Sequence, residues 1–184
     1  LVETLRATRM LDDTIILFTS DHGDMLGERG LWFKMNFFEG SARVPLMVCG
    51  PKISPRLVTD PVSTLDINPT LADLAGINIG EIMPWTDGES LVPLMNGAKR
   101  TAPVLIEYTA EGSQAPLVCI REGDWKFSHC ELDPPMLFNL KDDPDELNNL
   151  AADPANAALV AQWMERVRSR WDMKAFDSAI RESQ

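Results

Sequence analysis

The sequence predicts an α/β fold whose first part holds buried strands and a helix. A small antiparallel sheet packed with a C-terminal helix follows. Three observations point there. Thr14-Ile15-Ile16-Leu17-Phe18-Thr19 is β-branched or apolar at every position, which suits a strand covered on both faces, as in a parallel sheet. Leu46-Met47-Val48-Cys49 is a second such run, stopped by Gly50-Pro51. Pro69 suits the first turn of a helix through Leu71 and Leu74, with Gly76 as its C-terminal stop. Strand, loop, strand, helix is the order of an α/β domain.

The elements follow in order. Leu1, Leu5 and Met10 have helical spacing. Leu1 is not a methionine, and the chain reads as a portion of something longer, cut at both ends. The first strand stops abruptly at Ser20-Asp21-His22-Gly23. After Gly80 the texture changes: Pro84, Asp87-Gly88 and Asn96-Gly97 mark a loop-rich link. Short β-like runs then cover 104–108, 116–121, 125–128 and 136–140, with Glu122-Gly123-Asp124 as a hairpin turn. Asp153-Pro154 opens a helix as N-cap and first-turn proline. Its apolar stripe is Val160, Trp163, Met164, Val167 and Trp171, the spacing of a helix lying on a sheet. The expected division is therefore residues 1–80 as part of an α/β domain, 81–101 as a link and 102–184 as a small α+β subdomain.

Composition narrows the function classes. The 184 residues carry 17 Lys and Arg against 28 Asp and Glu, a net charge of −11. With no basic stripe, nucleic acid is a poor partner. Apolar runs such as Ile15 to Phe18 are far below the roughly 20 residues a membrane helix needs. No basic-then-apolar leader opens the chain, so a cytoplasmic location is expected. Cys49, Cys119 and Cys130 lack the close pairing of zinc sites and read as reduced, mostly buried thiols.

Asp21-His22-Gly23-Asp24 lies where a buried strand meets a loop, the place open α/β sheets use for ligands. A carboxylate and an imidazole there offer a metal an oxygen and a nitrogen. An Asx-type turn with a solvated histidine is the plainer alternative. Glu39 and Arg43 are spaced for an ion pair supporting the loop after Lys34. Asp142 to Glu146 reads as a solvated turn, lacking the glycine and final glutamate of a calcium-binding EF-hand.

Residues 18–34 (FTSDHGDMLGERGLWFK), 38–46 (FEGSARVPL), 63–76 (STLDINPTLADLAG) and 137–151 (LFNLKDDPDELNNLA) together resemble the sulfatase family, of the alkaline-phosphatase-like superfamily. The likeness is greatest to its choline-sulfatase branch, through residues 21–34 and through Glu107-Tyr108-Thr109-Ala110-Glu111-Gly112-Ser113. The resemblance implies the C-terminal part of an alkaline-phosphatase-like parallel or mixed sheet sandwich. It implies hydrolysis of a small sulfate ester, choline sulfate, with Asp21 and His22 as ligands of a divalent metal. Calcium is the implied metal, with manganese as the alternative. His22 and Lys34 would act at the sulfate group, and Lys34 would bind its oxygens. Glu111 would face the quaternary ammonium, aided by aromatic rings such as Trp32, Trp85 or Tyr108. The intact enzyme would be a homo-oligomer.

The chain departs from the family in one respect that matters chemically. The family's nucleophile is a formylglycine made from Cys or Ser in C/S-x-P-x-R. Cys49-Gly50-Pro51-Lys52-Ile53 has Ile53 where arginine is required and follows the Asp-His motif instead of preceding it. Cys49 therefore reads as a strand-end thiol, and these residues alone are expected not to turn over sulfate esters. A phosphonate or phosphate ester hydrolase of the same superfamily and a non-catalytic binding module are the competing readings.

Overall fold

The computed structural model describes residues 1–110 and 113–183. In chain order its helices and strands are α1 (Val2–Ala7), β1 (Ile16–Thr19), β2 (Met25–Leu26), β3 (Trp32–Phe33), α2 (Glu39–Ala42), β4 (Leu46–Cys49) and α3 (Ile67–Leu74). They continue with α4 (Ile79–Ile82), α5 (Val92–Met95), β5 (Val104–Tyr108), β6 (Leu117–Glu122), β7 (Trp125–Cys130), β8 (Asp133–Asn139), α6 (Ala157–Arg170) and α7 (Met173–Ser183). Among the described residues no helix is long and apolar enough to cross a membrane. Two compact units form. One holds 1–23 and 43–100, the other 24–42 and 101–184. They differ from the expected division in two places. Residues 81–100 belong to the first unit instead of linking two domains, and the segment 24–42 joins the second.

In the first unit β1 and β4 pair antiparallel, Ile16 opposite Cys49 and Thr19 opposite Leu46. The two apolar runs are strands, as expected, but they form a two-stranded antiparallel sheet. Hydrophobicity marks a strand and leaves its direction open. Coverage on both faces is not met, because Phe18 is 55% and Met47 58% exposed. Gly50 ends β4 at φ 152°, where a Cβ would stand 2.8 Å from the Ile15 Cα. Helix α3 ends as expected: Ala75 caps it and Gly76 takes the left-handed conformation at φ 71°.

A buried carboxylate knots this unit. Asp66 is fully buried and accepts hydrogen bonds from the amides of Ser63 (2.8 Å) and Glu89 (2.9 Å). The Arg100 guanidinium pairs with it at 2.6 Å. Thr70, also fully buried, donates to the Asp66 carbonyl (2.6 Å) and accepts from the Leu91 amide (2.8 Å). Three separate stretches of chain are thereby held to the start of α3.

The second unit is a four-stranded antiparallel sheet, β5-β6-β7-β8. Gly123 turns the β6–β7 hairpin at φ 52°. Pro134 and Pro135 lie in β8, the edge strand, where a missing amide donor is tolerated. Val118, Ile120, Phe127 and Leu137 pack with Trp163, Val167 and Trp171, which are residues of the α6 stripe and its end. Phe127 stacks on Trp163 with centroids 6.1 Å apart. The Asp153 side chain caps the turn before α6 by accepting from the Ala155 amide. Alternation places Cys119, Arg121, Lys126 and Phe138 on the other face. That face receives the 24–42 segment, with Phe38 6.2 Å from Phe138. Cover on both sides explains why β6 and β7 are buried almost continuously.

Cys119 and Cys130 are buried, whereas Cys49 is exposed, against the expectation of mostly buried thiols at that position. Burial pushes the Cys119 thiol up to about 12, although Lys126 nearby favours the thiolate. The unfolded thiol ionises near about 8.5, so protons leave the unfolded state first. Stability contributed by the neutral thiol is complete below that pH and is lost as pH rises toward 12. Cys119 is therefore expected to resist alkylation at pH 8 until the protein is unfolded, as read by mass spectrometry. Phe127→Ala is expected to cost about 3–5 kcal/mol, measured from urea unfolding with an unchanged slope.

Candidate functional site

Asp21 and His22 follow β1 directly, so the strand end sets their backbone. The His22 amide donates to Asp21 Oδ1 at 3.0 Å, and Ser20 Oγ donates to the His22 carbonyl at 2.8 Å. The Asp21 contact reaches the next residue, whereas the Asx turn of the plainer alternative would reach the amide two residues on. These bonds orient both side chains. His22 Nδ1 lies 2.8 Å from the Gly23 carbonyl. A carbonyl only accepts, so Nδ1 carries a proton, which leaves Nε2 as the ring nitrogen that faces Asp21. That atom is 3.4 Å from Asp21 Oδ2. A shared proton or a cation would hold these two atoms together, and fixing Nδ1–H on a carbonyl is how metal-binding histidines are oriented. The donor set, one carboxylate and one imidazole, fits a divalent cation. The hydrogen bond from the His22 amide holds the Asp21 carboxyl below its ordinary 3.8. Among the described residues no group of three or more His, Cys, Asp or Glu converges on a metal position.

Lys34 belongs to the second unit, on the segment 24–42. It follows the short β2–β3 ribbon, where Met25 opposes Phe33 and Leu26 opposes Trp32. Arg29 and Phe33 adopt left-handed backbone, φ 57° and 69°, uncommon outside glycine. The Lys34 carbonyl accepts two hydrogen bonds, from Ser41 Oγ (2.6 Å) and the Asn36 amide (2.8 Å). Ser41 is buried in α2. Glu39 begins that helix and pairs with Lys126 at 2.8 Å, replacing the expected partner Arg43. Spacing within one helix predicted Arg43, but α2 spans only four residues and ends at Ala42. Lys126 is itself buried and lies 2.9 Å from Glu146 Oε1. Glu146 Oε2 accepts the Glu39 amide at 2.7 Å. The solvated turn expected at Asp142 to Glu146 holds for Asp142 and Asp145, which are exposed, but not for Glu146, which is 2% exposed and lies against Lys126.

The other candidates divide. Glu111 lies outside the described residues. Trp32 and Trp85 are exposed, not part of a core. Glu107 is occupied structurally: Trp171 Nε1 donates to its Oε1 at 2.6 Å. Cys49 ends β4, as its reading as a strand-end thiol required. Ser41, Lys126 and Glu146 were not singled out as site residues. Lys126 stands at an alternate position of a strand, which in sequence looks like a solvent face.

The sequence profile described as N-sulphoglucosamine sulphohydrolase, C-terminal, matches residues 27–172. This chain belongs to the sulfatase family. It is 63% identical to the choline-sulfatase of Rhizobium meliloti (strain 1021), an overlap covering all of this chain and 36% of that protein. The chain thus spans about a third of the length of the curated relatives it matches. Among solved structures, a 2-O GAG sulfatase superposes with a TM-score of 0.78 at 29% identity, covering 92% of this chain and 38% of that one. The phosphonate monoester hydrolase of Agrobacterium radiobacter superposes with 0.74 at 31% identity, over 91% of this chain and 37% of that one. The fold is that of the C-terminal part of these enzymes. Asp21 is expected to titrate below 3.8, readable from its carboxyl carbon by NMR, so its charge is constant across neutral pH.

Proposed function

We propose that the protein containing this chain is a metal-dependent sulfatase that hydrolyses choline sulfate to choline and inorganic sulfate. The observation that carries the chemistry is the juxtaposition of the Asp21 carboxylate and His22 Nε2 at 3.4 Å, with Nδ1 turned away onto the Gly23 carbonyl. Support for the substrate is the 63% identity to a choline-sulfatase over the whole chain. Asp21 and His22 would hold the divalent cation, calcium or manganese, together with ligands outside these residues. When bound, that cation and a formylglycine from outside the chain would supply charge neutralisation and the nucleophilic oxygen.

The chain's own residues have separate tasks. Asp21 stays ionised and contributes a hard oxygen. His22, with Nδ1–H held on the Gly23 carbonyl, keeps Nε2 aimed at the same place. Lys34 brings a compact positive charge on a long stem to the sulfuryl oxygens, where negative charge grows as the S–O bond breaks. Glu111 supplies the negative charge that a trimethylammonium needs, since that group has no N–H to donate. The competing phosphonate monoester activity is kept by the Agrobacterium enzyme's 31% identity and TM-score of 0.74.

The full-length protein tests this. Choline sulfate is expected to be turned over faster than phenyl phosphonate monoesters, and the reverse order would favour the phosphonate reading. Lys34→Ala is expected to lower kcat by about 10²–10³-fold. Glu111→Gln should raise KM for choline sulfate while sparing a neutral aryl sulfate; equal losses on both would remove its ammonium role.

A further inference from the structure

We infer that Glu146, with Lys126, is a clamp that fixes the backbone on both sides of Lys34, which makes Glu146 a positioning residue for that ammonium. The inference rests on the proposed sulfate-binding role of Lys34. Arg29 and Glu39 flank Lys34 at equal sequence distances, and both are held by this one residue. The Glu146 carbonyl accepts from the Arg29 guanidinium, which also donates to the Asp145 carbonyl at 2.5 Å. Glu146 Oε2 accepts the Glu39 amide, and Oε1 lies against Lys126, whose ammonium reaches Glu39 Oε1. The Glu146 backbone sits at φ 54°, a conformation uncommon for a residue with a side chain, and its carbonyl and carboxylate engage the same segment. Arg29 adds a second tie by lying 4.2 Å from the centroid of the Phe38 ring.

From Glu39 the fixed geometry passes two residues along α2 to Ser41, whose hydroxyl donates to the Lys34 carbonyl. A lysine side chain is flexible, so the accuracy of its ammonium depends on how firmly its backbone root is held. A cluster of ion pairs this deeply buried gains little net stability over apolar packing of the same volume. Its two carboxylates around one ammonium, with Arg29 on the neighbouring backbone carbonyls, instead specify one arrangement of the 29–41 segment, and Lys34 is the group on that segment with chemistry to perform.

The test uses the full-length enzyme and three variants. Glu146→Gln keeps the shape and removes the charge. Ser41→Ala leaves the ion cluster intact and removes only the last contact to Lys34. Lys34→Ala reports on the underlying role. In Glu146→Gln, hydrogen exchange over residues 29–41 is expected to quicken at least about ten-fold within minutes, while residues 117–139 keep native rates. kcat/KM for choline sulfate should fall about ten- to a hundred-fold, and Ser41→Ala should fall in the same direction. Unchanged exchange over 29–41 would overturn the clamp, as would faster exchange there with full activity. Equal loosening of 117–139 would reduce Glu146 to a merely structural role. If Glu146→Gln does not fold, Ser41→Ala decides: full activity in it overturns the relay to Lys34. Wild-type turnover by Lys34→Ala would instead remove the sulfate-binding role, with the exchange pattern still reporting the clamp itself.

Discussion

A charge taken out of water must be met by another charge or by hydrogen bonds, and both units of this chain are organised around that demand. In the second unit Lys126 and Glu146 are each 3% exposed at the side chain, and Glu39 shares the cluster. In the first, Asp66 is fully buried with Arg100 and two backbone amides. Each cluster binds stretches of chain far apart in sequence. Glu39, Lys126 and Glu146 come from a short helix, a central strand and a loop. Removing one member would leave another buried without compensation, so these groups fix the arrangement more than they add net stability.

The apolar framework makes the second cluster possible. The β6–β7 hairpin offers Val118, Ile120 and Phe127 to the α6 stripe on one face. On the other, alternation places Lys126 beside Phe138, and Phe38 covers that side. Without the 24–42 segment Lys126 would face water and no cluster would form. The same segment carries Lys34, so the sheet supports the candidate sulfate-binding residue through its second face, and the α6 core through its first.

The candidate chemistry is distributed over the chain in a way that suits charge-stabilised ester hydrolysis. Asp21 and His22 occupy the end of a strand, where backbone hydrogen bonds orient them without help from distant residues. Lys34 sits on irregular backbone after a two-residue strand and depends on distant residues for its placement. Short-range hydrogen bonds suffice to orient the candidate ligands Asp21 and His22, whereas a long cationic side chain needs a fixed root. The chain's fold is similar to that of both a sulfatase and a phosphonate monoester hydrolase. Both reactions demand charge neutralisation at a tetrahedral centre, and the fold supplies the supports for it.

Local sequence determined most elements. Turn residues, caps and periodicity gave the helix ending at Gly76, the four strands of the antiparallel sheet, the Gly123 hairpin and the packing stripe of α6. Those signals act within a few residues, where steric and hydrogen-bonding preferences are written directly in residue type. The place of Asp21 and His22 just after a strand was legible for the same reason. Three things were decided only by tertiary structure: the antiparallel pairing of β1 and β4, the membership of 24–42 in the second unit, and the partners of Glu39 and Glu146. Strand direction, the far face of a sheet and the partner of a buried charge depend on chain brought from a distance. Lys126 in its alternating strand and Glu146 in its acidic turn look like solvated residues until the segments that cover them are in place.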